Sequence, residues 1–352
     1  GLDLELFGTT TLVVDVYERN SDNLLFNPPI PATAGLASAP IVNVGKMRNR
    51  GVDAQFGIRG VLGNDLGWNL DINGSHYQNE IVRIDGSRDF FYGPITTRFA
   101  TTAVTINEVG EPVGAFFGFI PEGIYQNQAE IDALTQQARA QTGRDDALYH
   151  SGAAPGRFRF KDVDGDGVLT QADRTIIGSP HPDFVLGTNV GLNWRSFDFA
   201  VDLFGSFGNE IYDVQKEFYV FRHFYSNVRR DLLENSWTPE NTNAKYPRLD
   251  VTDNISREPS TFYIEDGSYF RLRTLQLGYS APQGWLGAFQ NSRIYIRGEN
   301  LFTITGYDGL DPALPASNVG SAAGDISDQA RGIDRGAYPT NRTVTVGFSV
   351  GI

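Results

Sequence analysis

The sequence predicts an all-β fold: about nine antiparallel strands forming one portion of a transmembrane β-barrel with long external loops. Three observations predict it. Apolar residues recur at every second position in segments of about ten residues, the pattern and length of a tilted membrane strand. Connections alternate between very short and very long. The chain of 352 residues is rich in glycine (39) and aromatics (12%) and contains no cysteine, a composition of strands and turns without a disulfide framework or thiolate metal site.

The clearest segment is "TVTVGFSVGI" at 343–352, where Val344, Val346, Phe348, Val350 and Ile352 alternate with Thr343, Thr345, Gly347, Ser349 and Gly351. A period of two separates one apolar face from one small or polar face. Phe184, Leu186, Val190, Leu192 and Trp194 repeat the pattern against Asn189, Asn193 and Arg195; Phe197, Phe199, Val201 and Leu203 follow against Asp198 and Asp202. Upstream, Val52, Ala54, Phe56 and Ile58 oppose Asp53, Gln55 and Arg59, and Trp68, Leu70 and Ile72 oppose Asn69, Asp71 and Asn73. The expected strands are 2–7, 9–19, 45–62, 66–84, 184–194, 197–207, 268–281, 291–302 and 341–352.

Short turns fall near Gly8, Asn64, Ser196 and Gly287, and long excursions at 20–44, 85–183, 208–267 and 303–340. Compact soluble domains rarely carry such loops, whereas outer-membrane barrels have short periplasmic turns and long extracellular loops. Phe7, Trp68, Trp194 and Phe197 lie beside the short turns, where an interfacial aromatic girdle belongs. The alternative is a soluble β-sandwich whose aromatics fill its core. An odd strand count makes these nine part of a barrel, and the opening "GLDLELFGTTTLVVDVYER" already reads as strand, turn, strand. The chain is therefore expected to start inside a larger protein.

The net charge of −13 excludes non-specific nucleic-acid binding, which needs a basic surface. No apolar run reaches the roughly 18 residues of a membrane helix, which excludes helical spans alone. The four histidines, His76, His150, His181 and His223, are scattered, and no nucleophile elbow, zinc-protease helix or phosphate loop occurs. With 42 Asp and Glu, a glycosidase-like carboxylate pair has no specificity, and the chain is read as no enzyme.

One motif carries site chemistry. In "DVDGDGVLTQAD", Asp162, Asp164 and Asp166 fill the first, third and fifth places of a calcium loop, with Gly167 at the sharp turn. Val168 lends a backbone carbonyl, Thr170 coordinates through water, and Asp173 closes the shell in place of the usual glutamate. Oxygen ligands at this spacing suit Ca²⁺, with Mg²⁺ second; the alternative is a metal-free Asp-Gly turn. The flanking "GRFRF" reads as extended and "QADRTII" as a short turn, so the ion would be structural, clipping the 85–183 loop. "QAEIDALTQQARAQ" (128–141) reads as an amphipathic helix packed onto that loop, in preference to a partner-binding helix. Tyr219, Phe221, Phe224 and Tyr225 form an external cluster that stacks on sugars or meets a partner, or else makes the loop's own core.

"VGEPVGAFFGFIPEGIYQNQAEID" (109–132), "PGRFRFKDVDGDGVLTQADRTIIGSPHPDFVLGTNVGLNW" (155–194), "NVGKMRNRGVD", "SWTPENTNAKYPRL", "SYFRLRTLQLGYSAP" and "RIYIRGENLFTITGYDGLDP" together resemble the C-terminal part of the SusC/RagA family of TonB-dependent outer-membrane transporters. The resemblance spans nearly the whole chain and implies a 22-stranded barrel. It implies a plug, TonB-contacting segment and signal peptide upstream, and a SusD-type surface lipoprotein as partner. A large nutrient, oligosaccharide or peptide, would be imported, and counting from the last strand leaves the C-terminus in the periplasm. The chain departs from the pattern in ending on Ile352 where such barrels end on an aromatic residue. The reading from another class is a soluble, calcium-stabilised carbohydrate-binding or adhesion module.

Overall fold

The computed structural model describes residues 1–26, 42–43, 45–84, 89–93, 103–221, 227–282, 290–314 and 327–351. Nine strands form one antiparallel sheet in sequence order. They are β1 (Leu2–Leu6), β2 (Thr10–Asp22), β3 (Lys46–Leu62), β4 (Leu66–Arg83), β5 (Phe184–Trp194), β6 (Phe197–Phe207), β7 (Tyr269–Ser280), β8 (Gln290–Thr305) and β9 (Thr343–Gly351). All nine expected strands are present. β2 and β8 run three residues further along the chain than expected, to Asp22 and Thr305. The β2 extension, Asn20 to Asp22, is polar and gave no alternation to read, whereas Ile304 between Thr303 and Thr305 continues the period of β8.

The register turns the separate alternations into one continuous surface. Leu12, Phe56 and Ile72 lie in one row; Ile58, Leu70, Val190, Val201 and Leu275 make the next. Trp68, Leu192, Phe199, Leu277, Ile296 and Val346 complete a third. This face is bare: Val344 is 66%, Val346 67% and Phe348 81% exposed. A sandwich core would cover these side chains, so the exposed band removes the sandwich alternative. From Val52 to Leu62 a strand tilted by about 40° climbs about 25 Å, the height of the lipid-facing band of an outer-membrane barrel. Above Val52 the same face turns polar. There Arg48 pairs with Glu80 at 2.7 Å, and the Arg50 guanidinium donates twice to the Gln78 amide oxygen at 3.0 and 2.9 Å.

The short turns lie at one end of the sheet. Phe7 (φ 56°) and Gly8 (φ 66°) close β1 to β2, Gly63 (φ 61°) starts the turn from β3 to β4, and Arg195 (φ 53°) joins β5 to β6. Trp194 and Phe197 stack beside that last turn with ring centroids 6.3 Å apart, and Phe197 meets Tyr279 at 4.9 Å. The turn expected near Gly287 and the terminal Ile352 lie outside the described residues.

At the other end, three excursions build a second body above the sheet. The first supplies a four-stranded sheet (Phe90–Tyr92, Thr105–Glu108, Ala115–Gly118, Thr175–Gly178) and helix α1 (Gln128–Thr142). α1 is capped by Asn127 and ends at Gly143 (φ 68°), and it buries Ile131 and Ala138 against the loop, as the packed-helix reading expects. The second excursion contributes Glu210–Asp213 and Ile264–Asp266, and the third adds Ile333–Asp334 in parallel beside Glu210–Asp213. One buried cluster draws on all three: Phe116, Phe158 and Phe160; Tyr212, Leu232, Tyr246 and Tyr263; Ala330 and Ile333. The hydrophobic core of the chain therefore sits in this cap, while the nine-stranded sheet keeps its apolar side chains outside.

Candidate functional site

The polar face of the sheet is built by the residues that alternate with the bare band. Asp71, Asn189, Asp202 and Thr274 occupy one row, and Asn69 and Gln276 face the same way one row nearer the short turns. A hollow on this side is lined by Asn69, Asn189, Asp202, Thr274, Gln276 and Arg297. Arg293 pairs with Asp198 at 2.6 Å and Arg297 with Glu299 at 2.8 Å. A face of amides, hydroxyls and paired charges opposite an exposed apolar band is what a wall between lipid and a wet lumen requires.

The calcium-like loop lies in the cap between the strand Phe158–Phe160 and the short helical turn Gln171–Asp173. Asp162, Asp164 and Asp166 each bring a carboxylate oxygen within 4.8 Å of the others. Three hard oxygens at that separation fit a divalent cation. Asp162 also accepts from the Gly165 and Gly167 amides at 2.7 and 2.9 Å. Gly167 has φ 89°, a backbone conformation that favours glycine. Asp173 stands apart from the three. Wholly buried, it accepts from the Val163 and Thr170 amides at 2.7 Å each and ties the two ends of the loop together. Burial raises its pKa, against the pull of those amides. Val168 donates its amide to Asp166 at 2.9 Å, and the Thr170 hydroxyl accepts from Ala172 at 3.1 Å.

The aromatic cluster divides. Phe221, 7% exposed, packs in the cap core against Phe262 and Tyr263. This residue is part of the cap's buried cluster, as the loop-core alternative expects. Tyr219 is partly buried against the same core, and its hydroxyl donates to Asp213 at 2.5 Å. Phe224 and Tyr225 lie outside the described residues.

Sequence reasoning missed the groups that hold the cap together. Arg174, 8% exposed, sits 4.5 Å over the Phe117 ring and donates to the Phe117 carbonyl at 2.9 Å. Arg271 on β7 reaches Asp311 and Thr340 from the third excursion. These partners are far apart in sequence and share no local pattern.

The exposed band, polar inner wall and one-sided loops define a segment of a membrane β-barrel. No family model matches the chain. It is 32% identical to "TonB-dependent receptor P3" of Formosa agariphila over 99% of its own length and 33% of that protein. It is 25% identical to "TonB-dependent receptor SusC" of Bacteroides thetaiotaomicron over 99% of itself and 31% of that protein. Its fold superposes on the "RagAB peptide transporter" with a TM-score of 0.71 at 22% identity, covering 97% of this chain and 33% of that one. The "open-open" state of the RagAB peptide importer gives the same score. The chain belongs to the SusC/RagA family of TonB-dependent receptors, outer-membrane proteins, and spans about a third of the length of the relatives it matches.

Proposed function

We propose that the chain forms wall and outer cap of a TonB-energised outer-membrane importer of a large nutrient, an oligosaccharide or a peptide, working with a SusD-type surface lipoprotein. The observation that carries the reading is the continuous bare apolar face, about 25 Å high, backed by a polar wall and crowned by a cap on the side away from the short turns. In this mechanism the nutrient is held between the cap and the lipoprotein. TonB acts on a plug outside this chain, and the path opens along the wall of Asp71, Asn189, Asp202 and Gln276. The excursions lie outside the cell and the last strand ends in the periplasm. Kinship with SusC and with RagAB, a peptide transporter by name, supports import and leaves both nutrient classes in the proposal.

The test is fractionation of cells carrying the full-length parent, with protease added from outside. Recovery in the outer membrane, with cuts confined to 20–44, 85–183, 208–267 and 303–340, is the expected result. A parent recovered in the soluble fraction would overturn the reading in favour of the calcium-stabilised binding module.

The proposal includes a structural Ca²⁺ held by Asp162, Asp164 and Asp166, with Val168, Thr170 and Asp173 completing the loop, and Mg²⁺ as the weaker ligand. Calorimetry of the parent should show a Ca²⁺ site that Asp164→Ala and Asp166→Ala abolish. Unchanged binding in both variants would leave the motif as a turn.

A further inference from the structure

We propose that Arg271 is a positioning residue for the outer mouth, a single side chain that pins both ends of the third excursion to the barrel wall. The register of β7 shifts at Arg273 against β6 and opposite Asn300 and Leu301 against β8, so that Arg271 pairs with Phe204 on one side and Thr303 on the other. The residue is 5% exposed and each of its three guanidinium nitrogens is used. Nε donates to Thr303 Oγ1 at 2.8 Å on the neighbouring strand, Nη1 to Thr340 Oγ1 at 2.9 Å, and Nη2 to Asp311 Oδ1.

Asp311 lies in the outgoing limb of the excursion and Thr340 in the returning one. The two are joined directly, the Thr340 amide and hydroxyl donating to Asp311 Oδ2 at 2.9 and 2.6 Å. Asp311 also accepts from the Ala313 amide at 2.9 Å and is itself 6% exposed. Burial pushes its carboxyl up, and the Thr340, Ala313 and Arg271 donors outweigh this and hold it low. A second stitch joins the same two limbs. The Tyr307 hydroxyl donates to Asp334 Oδ2 at 2.6 Å, and Asp334 belongs to the short strand that pairs with Glu210–Asp213 of the cap. A bonded path therefore runs from β7 through both limbs of the excursion into the cap core. A buried arginine that loses its carboxylate leaves an uncompensated charge, and lysine has no planar fork to span three partners. The pin thus sets where the cap sits over the lumen.

The inference rests on the barrel reading only in naming the wall, and its readout is a distance, which needs no transport. In the full-length parent, with any cysteine elsewhere replaced, spin labels go on Leu310→Cys in the excursion and Asn64→Cys in the opposite-end turn. One narrow distance population is expected. Arg271→Ala, Arg271→Lys and Asp311→Ala should each broaden it about twofold, a local release of the kind that separates one cooperative unit from the rest. The Arg271→Ala, Asp311→Ala double variant should be no broader than either single one, because the two act as one contact. Thr340→Val, close in shape to the parent, gives the same test should the charge variants fail to assemble. Unchanged width in these variants, or additive broadening in the double, would overturn the pin. Loss of membrane recovery with the width response intact would instead count against the transport reading alone.

Discussion

His150 packs among Tyr125 and Phe160, ring centroids 6.3 and 6.0 Å away, at the seam between the loop before α1 and the strand Phe158–Phe160. Burial first, and the Arg157 charge second, lower its pKa from 6.5 to about 4. The neutral ring is thus favoured in the folded cap. Above pH 6.5 folded and unfolded states are both neutral there and stability is flat. As pH falls from 6.5 towards 4, only the unfolded chain takes up the proton, and the cap loses up to about 3 kcal/mol. Amide exchange at Tyr125 and Phe160, corrected for intrinsic rate, should accelerate over that window, and His150→Gln should flatten the response. Equal acceleration in the variant would assign the loss to other groups. Nothing in "LYHSG" announces this, since the burial comes from strands formed elsewhere. The aspartate loop was legible at this scale because residue types at fixed offsets define it. The place of Asp173 was not, because its amide partners are set by the folded loop.

At the scale of the element, side-chain parity decides what a strand tolerates. Val201 lies mid-band on the bare face of β6, and Asn189 on the polar face of β5. Val201→Lys should cost about 2–4 kcal/mol as a charge near the bilayer midplane, while Asn189→Lys should cost little. Recovery of heat-modifiable barrel from the outer membrane measures both, and equal recovery would argue against a lipid-facing band. The nine strands were legible because their alternation is long and each begins or ends at a turn residue. The cap strands were not: Thr105–Glu108, Ala115–Gly118 and Glu210–Asp213 have four residues each, buried with little alternation, so no period exists to read.

At the scale of the whole molecule, sheet and cap invert the usual relation of surface and core. The sheet carries its apolar side chains outward, and the cap holds the packed interior. That division followed in the sequence from loop lengths and alternation, but the unity of the cap did not, since its three contributors read as separate loops. Phe116, Tyr212 and Ile333 share one cluster although they come from different excursions. Contacts between such distant stretches form late, because long loops must close before they are rewarded. The cap can therefore reach its packed state only once the strands that return its third excursion have zipped onto the sheet. Assembly of the wall and sealing of the crown are then one event in time, and a stalled, half-closed sheet betrays itself by an open crown that proteases can enter.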